Sequence, residues 1–123
     1  MGKPVNSKVA RVEVMALNTK VNKEVFEKFK DYCKYSGYPM NVLIETFMQQ
    51  YTNGKFQINH EDIMKWKMDE YEYDTLNTTF NKEIYLNFKR SCKEQKYFVK
   101  HVIMAFMEKL TSNNYILEYV EVK

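Results

Sequence analysis

The side chains able to do covalent or metal chemistry are few, and their spacing does not suit it. Cys33 and Cys92 make no CxxC unit and no other metal-binding spacing. His60, Glu61 and Asp62 supply ligand atoms, but three consecutive residues point in different directions on a helix or a strand, so they do not converge on one ion. Neither His60 nor His101 has a Cys, Ser or carboxylate at a spacing that defines a catalytic unit. No glycine-rich phosphate loop is present. The sequence therefore reads as a protein that is not an enzyme, with no cofactor, no metal and no small-molecule substrate. Asn77-Thr78-Thr79 fits a glycosylation sequon, taken as coincidental because no export signal accompanies it.

What positions the chemistry-bearing residues is a repeat. LNTKVNKE begins at Leu17 and LNTTFNKE at Leu76. Sliding the chain on itself by 59 positions lays residues 17–56 on 76–115 without a gap, and fifteen of the forty pairs are identical. Asn18/Asn77, Asn22/Asn81, Lys23/Lys82, Phe29/Phe88, Cys33/Cys92 and Phe47/Phe106 are among them. Mismatches such as Val25/Ile84 and Phe26/Tyr85 keep their character. Two copies of this period point to a duplication that makes a pseudo-dimer within one chain, not to a solenoid.

Each copy has the same grammar. Leu17, Thr19 and Val21 alternate with Asn18 and Lys20, and Leu76, Thr78 and Phe80 with Asn77 and Thr79. Period two predicts a short strand with one apolar face. Asn22 and Asn81 stand where helix N-caps belong, with Glu24 and Glu83 in the first turn. Val25, Phe29 and Cys33 then form a helical stripe, matched by Ile84, Phe88 and Cys92. Gly37 suits a helix C-terminus, where the second copy has Lys96 and so needs a different turn or a strained one. Pro39 suits the start of a second helix carrying Leu43, Ile44, Phe47, Met48 and Tyr51; its twin carries Val102, Ile103, Phe106, Met107 and Leu110.

One such unit cannot bury its own apolar surface, because its strand lacks a partner and its helices cover too little. The expected solution pairs the two strands antiparallel above four helices. The fold class is thus mainly α with a two-stranded antiparallel β-ribbon, in the order β-α-α-linker-β-α-α. The boundaries read as an N-terminal extension 1–15, repeat 1 at 16–53, a linker 54–74, repeat 2 at 75–113 and a tail 114–123, the two repeats forming one intertwined domain. Scarce Gly and Pro, three and two residues, agree with long helices.

This pattern resembles the ribbon-helix-helix family, the Arc, MetJ and CopG type of DNA-binding protein, over Ala16–Tyr51 and Thr75–Leu110. The stretches that carry the resemblance are ALNTKVN, KEVFEKFKDYCKYSG and YPMNVLIETFMQQY. In holding two copies in one chain it is similar to the TraY-type proteins of conjugative plasmids.

The resemblance implies a ribbon lying in the DNA major groove, with Ala16, Asn18, Lys20, Thr75, Asn77 and Thr79 at base edges. The residue types suit the role, since Asn pairs with adenine, Lys with guanine, and Thr with a hydrogen-bonding group or a thymine methyl. Ala16 departs from the basic or longer polar residue that many relatives place there. With the ribbon centred on Asn18/Asn77, Lys20 lies across from Thr75 and Ala16 from Thr79, which predicts an asymmetric subsite. The resemblance further implies phosphate contacts at the start of each second helix, matched by Pro39, Met40 and Asn41 and by Phe98, Val99 and Lys100, with Lys23 and Lys82 as further backbone contacts. The implied partner is double-stranded DNA, with self-association on it, no membrane, and a cytoplasmic location on nucleoid or plasmid DNA. The implied role is transcriptional repression or regulation at a plasmid or phage locus. A relaxosome or partition accessory role, and a protein-interaction module such as an antitoxin or anti-host factor, are the alternatives. The net charge of +3, from 19 basic and 16 acidic residues, decides none of these.

The connecting segments say less. HEDIMKW fits a helical turn with Ile63 and Trp66 on one side, and the acidic run Asp69–Asp74 belongs away from DNA. VARVEVM and YILEYVEVK alternate weakly, as ribbon extensions or assembly elements.

Overall fold

The computed structural model of the chain describes residues 13–68, 70–112 and 117. In chain order these form β1 (Val14–Asn22), α1 (Lys23–Ser36), α2 (Met40–Thr52), α3 (His60–Met68), β2 (Tyr73–Asn81), α4 (Lys82–Glu94) and α5 (Val99–Thr111). Among the described residues the molecule is mainly helical, with five helices and a two-stranded antiparallel sheet. The weakly alternating segments at the termini lie outside these residues, except for Glu13–Met15 and Leu117. Asp69 also lies outside them.

The strands pair with Asn18 opposite Asn77, Ala16 opposite Thr79 and Lys20 opposite Thr75. Both begin two residues earlier than expected, at Val14 and Tyr73. The reason is hydrogen bonding beyond the ladder: Lys23 N donates to Glu72 O at 2.9 Å, and Lys82 N to Glu13 O at 2.9 Å. Glu13 and Glu72 are themselves related by the repeat offset. Leu17, Val21, Leu76 and Phe80 are buried on the inner face.

Asn22 and Asn81 switch the chain from strand to helix. Their side chains accept from Val25 N at 2.9 Å and Ile84 N at 3.0 Å, satisfying donors that the first helical turn leaves open. At the far end Gly37 takes a left-handed conformation (φ 83°), and its N–H donates to Cys33 O. In the second copy Lys96 is left-handed too (φ 67°). Tyr97 N reaches Cys92 O at 2.9 Å and Lys96 N reaches Lys93 O at 3.0 Å, the double bond of a Schellman turn. Both of the alternatives expected for Lys96 are therefore met: a different turn, and a side chain in a conformation that favours glycine. Pro39 sits one position earlier than expected, as the N-cap of α2, with its carbonyl accepting from Val42 N and Leu43 N.

The main helix contacts run between the copies: α1 packs on α5, and α2 on α4. The core aromatics follow the same exchange. Phe47 and Phe106, equivalent in the repeat, stack at 4.2 Å between centroids and 8° between planes. Phe29 meets Phe106 edge-on at 5.9 Å, and Phe88 meets Phe47 at 5.6 Å. A pseudo-two-fold axis thus passes through the Asn18/Asn77 pair and the Phe47/Phe106 stack. Strand ends are tied across it as well. Asn22 N donates to Met104 Sδ at 3.2 Å, whereas Asn81 N donates to Glu45 Oε2 at 2.7 Å; Met104 and Glu45 are equivalent positions.

The linker breaks the symmetry. Its run HEDIMKW lies in α3, whose Ile63 and Trp66 are buried and which packs on α5. With α1 on one side and α3 on another, α5 is buried continuously from His101 to Met107, wider than the stripe its sequence suggests. Ile84, expected on the α4 stripe, is only half-buried, and Tyr85 is buried instead. Among the described residues no helix is long and apolar enough to cross a membrane.

Candidate nucleic-acid interface

Strand alternation presents one face of the ribbon to solvent. Val14, Ala16, Asn18 and Lys20 of β1 and Tyr73, Thr75, Asn77 and Thr79 of β2 are all exposed. The six residues for which the resemblance implies base contact are therefore brought together on one surface. At its centre two amides face each other across the strands. No carboxylate stands on this face. Asp74 lies on the inner side, half-buried and 3.5 Å from Lys30 Nζ on α1.

Val14 and Tyr73, 59% and 56% exposed, are the additional members. Their in-phase spacing from Ala16 and Thr75 is the signal that identifies them. Tyr73 has a specific neighbour, since Lys20 Nζ stands 5.3 Å from its ring centroid, within cation–π range.

The residues proposed for phosphate contact fall into three places. Lys23 and Lys82 are at the two ribbon-to-helix junctions, where their backbone N–H groups are used by the extended ladder. The Lys82 ammonium is 3.7 Å from Glu13, an exposed ion pair of little energetic weight. Pro39, Met40 and Asn41 open α2, and Phe98, Val99 and Lys100 open α5. Neither helix has a side-chain cap, so the first-turn N–H groups not reached by the Pro39 and Phe98 carbonyls face outward from the helix ends. Phe98 is exposed and packs its ring on His101 at 5.4 Å.

His101 is buried in this first turn of α5. Burial lowers its pKa below the ordinary histidine value, and the Lys100 and Lys67 ammoniums add to the effect. Burial pushes the Cys33 thiol up to about 11 and Cys92 up to about 12. Both are therefore protonated core side chains at neutral pH, not nucleophiles. Among the described residues no group of three or more His, Cys, Asp or Glu is placed to hold a metal ion. His60 instead meets Tyr97, with Nδ1 and Oη 2.6 Å apart.

Carboxylates gather beside the ribbon ends. Glu13 and Glu83 line one open cleft of about 750 Å³ with Lys82 and Arg90, and Glu24, Glu27 and Glu72 line its smaller counterpart with Lys23 and Tyr71.

No family model, curated protein or solved structure matches the chain.

Proposed function

We propose that this protein binds double-stranded DNA sequence-specifically as a tandem ribbon-helix-helix protein, laying the β1–β2 ribbon in the major groove and acting by occupancy as a regulator of transcription. The outward ribbon face carries the reading. It sets amides, hydroxyls and one ammonium in register about Asn18/Asn77, with no carboxylate among them. The three central rows span roughly 13 Å, about four base steps. A groove about 12 Å wide admits a two-stranded ribbon. Asn18 and Asn77 offer adenine a donor and an acceptor each, and Lys20 offers guanine a donor. The starts of α2 and α5, with Lys23, Lys82 and Lys100, supply phosphate contacts that set register without reading sequence.

Selection from random duplex oligonucleotides at two salt concentrations tests this. The expected result is a motif of a few base pairs, bound more weakly as salt rises. Asn18→Ala with Asn77→Ala is expected to abolish motif recovery while circular dichroism stays unchanged. A folded protein that recovers no motif at either salt concentration defeats the proposal.

A second reading, binding to another protein, draws on the smaller cleft, where Glu24, Glu27 and Glu72 outnumber Lys23 and would oppose phosphate. That role predicts activity indifferent to the two Asn→Ala changes.

A further inference from the structure

The two ends of the ribbon face are not equivalent, because the copies differ there in sequence and the linker supports only one of them. Under the pseudo-two-fold axis Lys20 maps onto Thr79, Thr75 onto Ala16 and Tyr73 onto Val14. One end thus carries an ammonium, a hydroxyl and a phenol. The other carries Ala16, Val14 and Thr79, rich in methyl groups and without charge.

The charged end is also buttressed. Lys20 Nζ lies 5.3 Å from the Tyr73 ring centroid. Tyr73 meets Tyr71 at 5.2 Å between centroids, interplanar angle 72°. Tyr71 meets the buried Trp66 of α3 at 5.9 Å, interplanar angle 84°. Edge-to-face contacts of this kind are favourable and directional. They form a ladder of rings from the core to the one ammonium on the reading face. Its members come from the linker and the first residue of β2.

We infer that the protein reads a directional, non-palindromic subsite, with a guanine under Lys20, A·T pairs under Asn18 and Asn77, and thymine methyls under Ala16, Val14 and Thr79. This rests on the DNA-binding reading above. Tyr73 acts as a positioning residue: its ring holds the ammonium over one end, where a free lysine would sample several base pairs. The linker helix therefore does more than join the copies, because it buttresses the end whose ammonium sets which way the protein faces on DNA.

The test uses the full chain and four exposed-site variants, with folding checked by circular dichroism. Ala16→Thr with Lys20→Thr makes both ends of the inner rows Thr/Thr. The unaltered protein is expected to select a directional motif with guanine at one end, and the double variant a motif palindromic over the three central rows. On the directional site, Lys20→Thr is expected to lower the preference for guanine by roughly 10- to 100-fold. Tyr73→Ala is expected to lower that preference with little loss of affinity for a site lacking guanine, and Tyr73→Phe to restore it. Replacing the guanine by 7-deazaguanine, probed with the unaltered protein, is expected to weaken binding about tenfold and needs no variant. A palindromic motif from the unaltered protein, or indifference to 7-deazaguanine, overturns the inference while leaving DNA binding intact. Recovery of no motif overturns both.

Discussion

Single side chains in this protein are tuned more by burial than by charge. Cys33 and Cys92 illustrate it: equivalent in the repeat, both buried, both pushed well above the usual thiol range. His101 is the case with a consequence in the physiological range. Its counterpart in the first copy is Val42, so a histidine has entered a position where the fold takes an apolar residue. Burial, then Lys100 and Lys67, hold its pKa below the ordinary value of 6.5. The folded state thus binds this proton less readily than the unfolded chain does. Its contribution is intact above about pH 6.5 and declines as the pH falls below it, because the unfolded state then takes up the proton first. Melting temperature is expected to fall between pH 7.5 and pH 5.5, with His101→Val reducing the slope. A variant as pH-sensitive as the parent would assign the effect to other groups.

Elements show how far the sequence spoke for itself. The strands, their register about Asn18/Asn77, the Asn caps and the apolar stripes of α1 and α2 follow from periodicity and repeat. They depend on neighbours a few residues away, or on an equivalence visible by sliding the chain on itself. The unusual depth of α5 does not, because it results from α3 and α1 covering two sides of one helix, and no local pattern records that. Nor does the ring ladder to Lys20: Trp66, Tyr71 and Tyr73 look like ordinary linker aromatics until α3 is placed. The outward face was legible as a set because one face of a strand is a period-two fact, whereas its role at base edges was implied only by the ribbon-helix-helix resemblance. Val14 and Tyr73 were missed because the ladder begins two residues before Ala16 and Thr75, outside the near-identical octapeptides that mark the repeat. The helix ends offer an element-scale prediction. Gly37 and Lys96 share the left-handed conformation, and a Cβ on Gly37 would meet nothing within 4 Å. Space is therefore not at issue, only backbone preference. Gly37→Ala is expected to cost about 1 kcal/mol, and Lys96→Gly to gain roughly 0.5–1 kcal/mol, in urea unfolding. Equal effects of the same sign would show that the two turns are not governed by φ.

At the scale of the molecule, the exchange of helices between copies decides how it unfolds. α1 finds its main helical partner in α5 and α2 in α4, so neither repeat keeps a core when the other opens. The Phe47/Phe106 stack lies where both halves meet, with Phe29 and Phe88 against its edges and Phe56 from the linker against both rings. Removing either ring leaves a cavity common to the two copies. Phe47→Ala and Phe106→Ala are each expected to cost about 3–5 kcal/mol. Together they should cost less than the sum, since the second change enlarges a hole already made. Far-UV circular dichroism follows all the helices, whereas the fluorescence of Trp66, the one tryptophan in the chain, follows α3 on its bed against α5. If the linker helix belongs to the shared core, the two signals trace one urea transition in the parent and in both single variants. A Trp66 transition at lower urea than the helical one would instead make α3 a separately folding strap. The ribbon's directional end would then loosen before the rest of the fold.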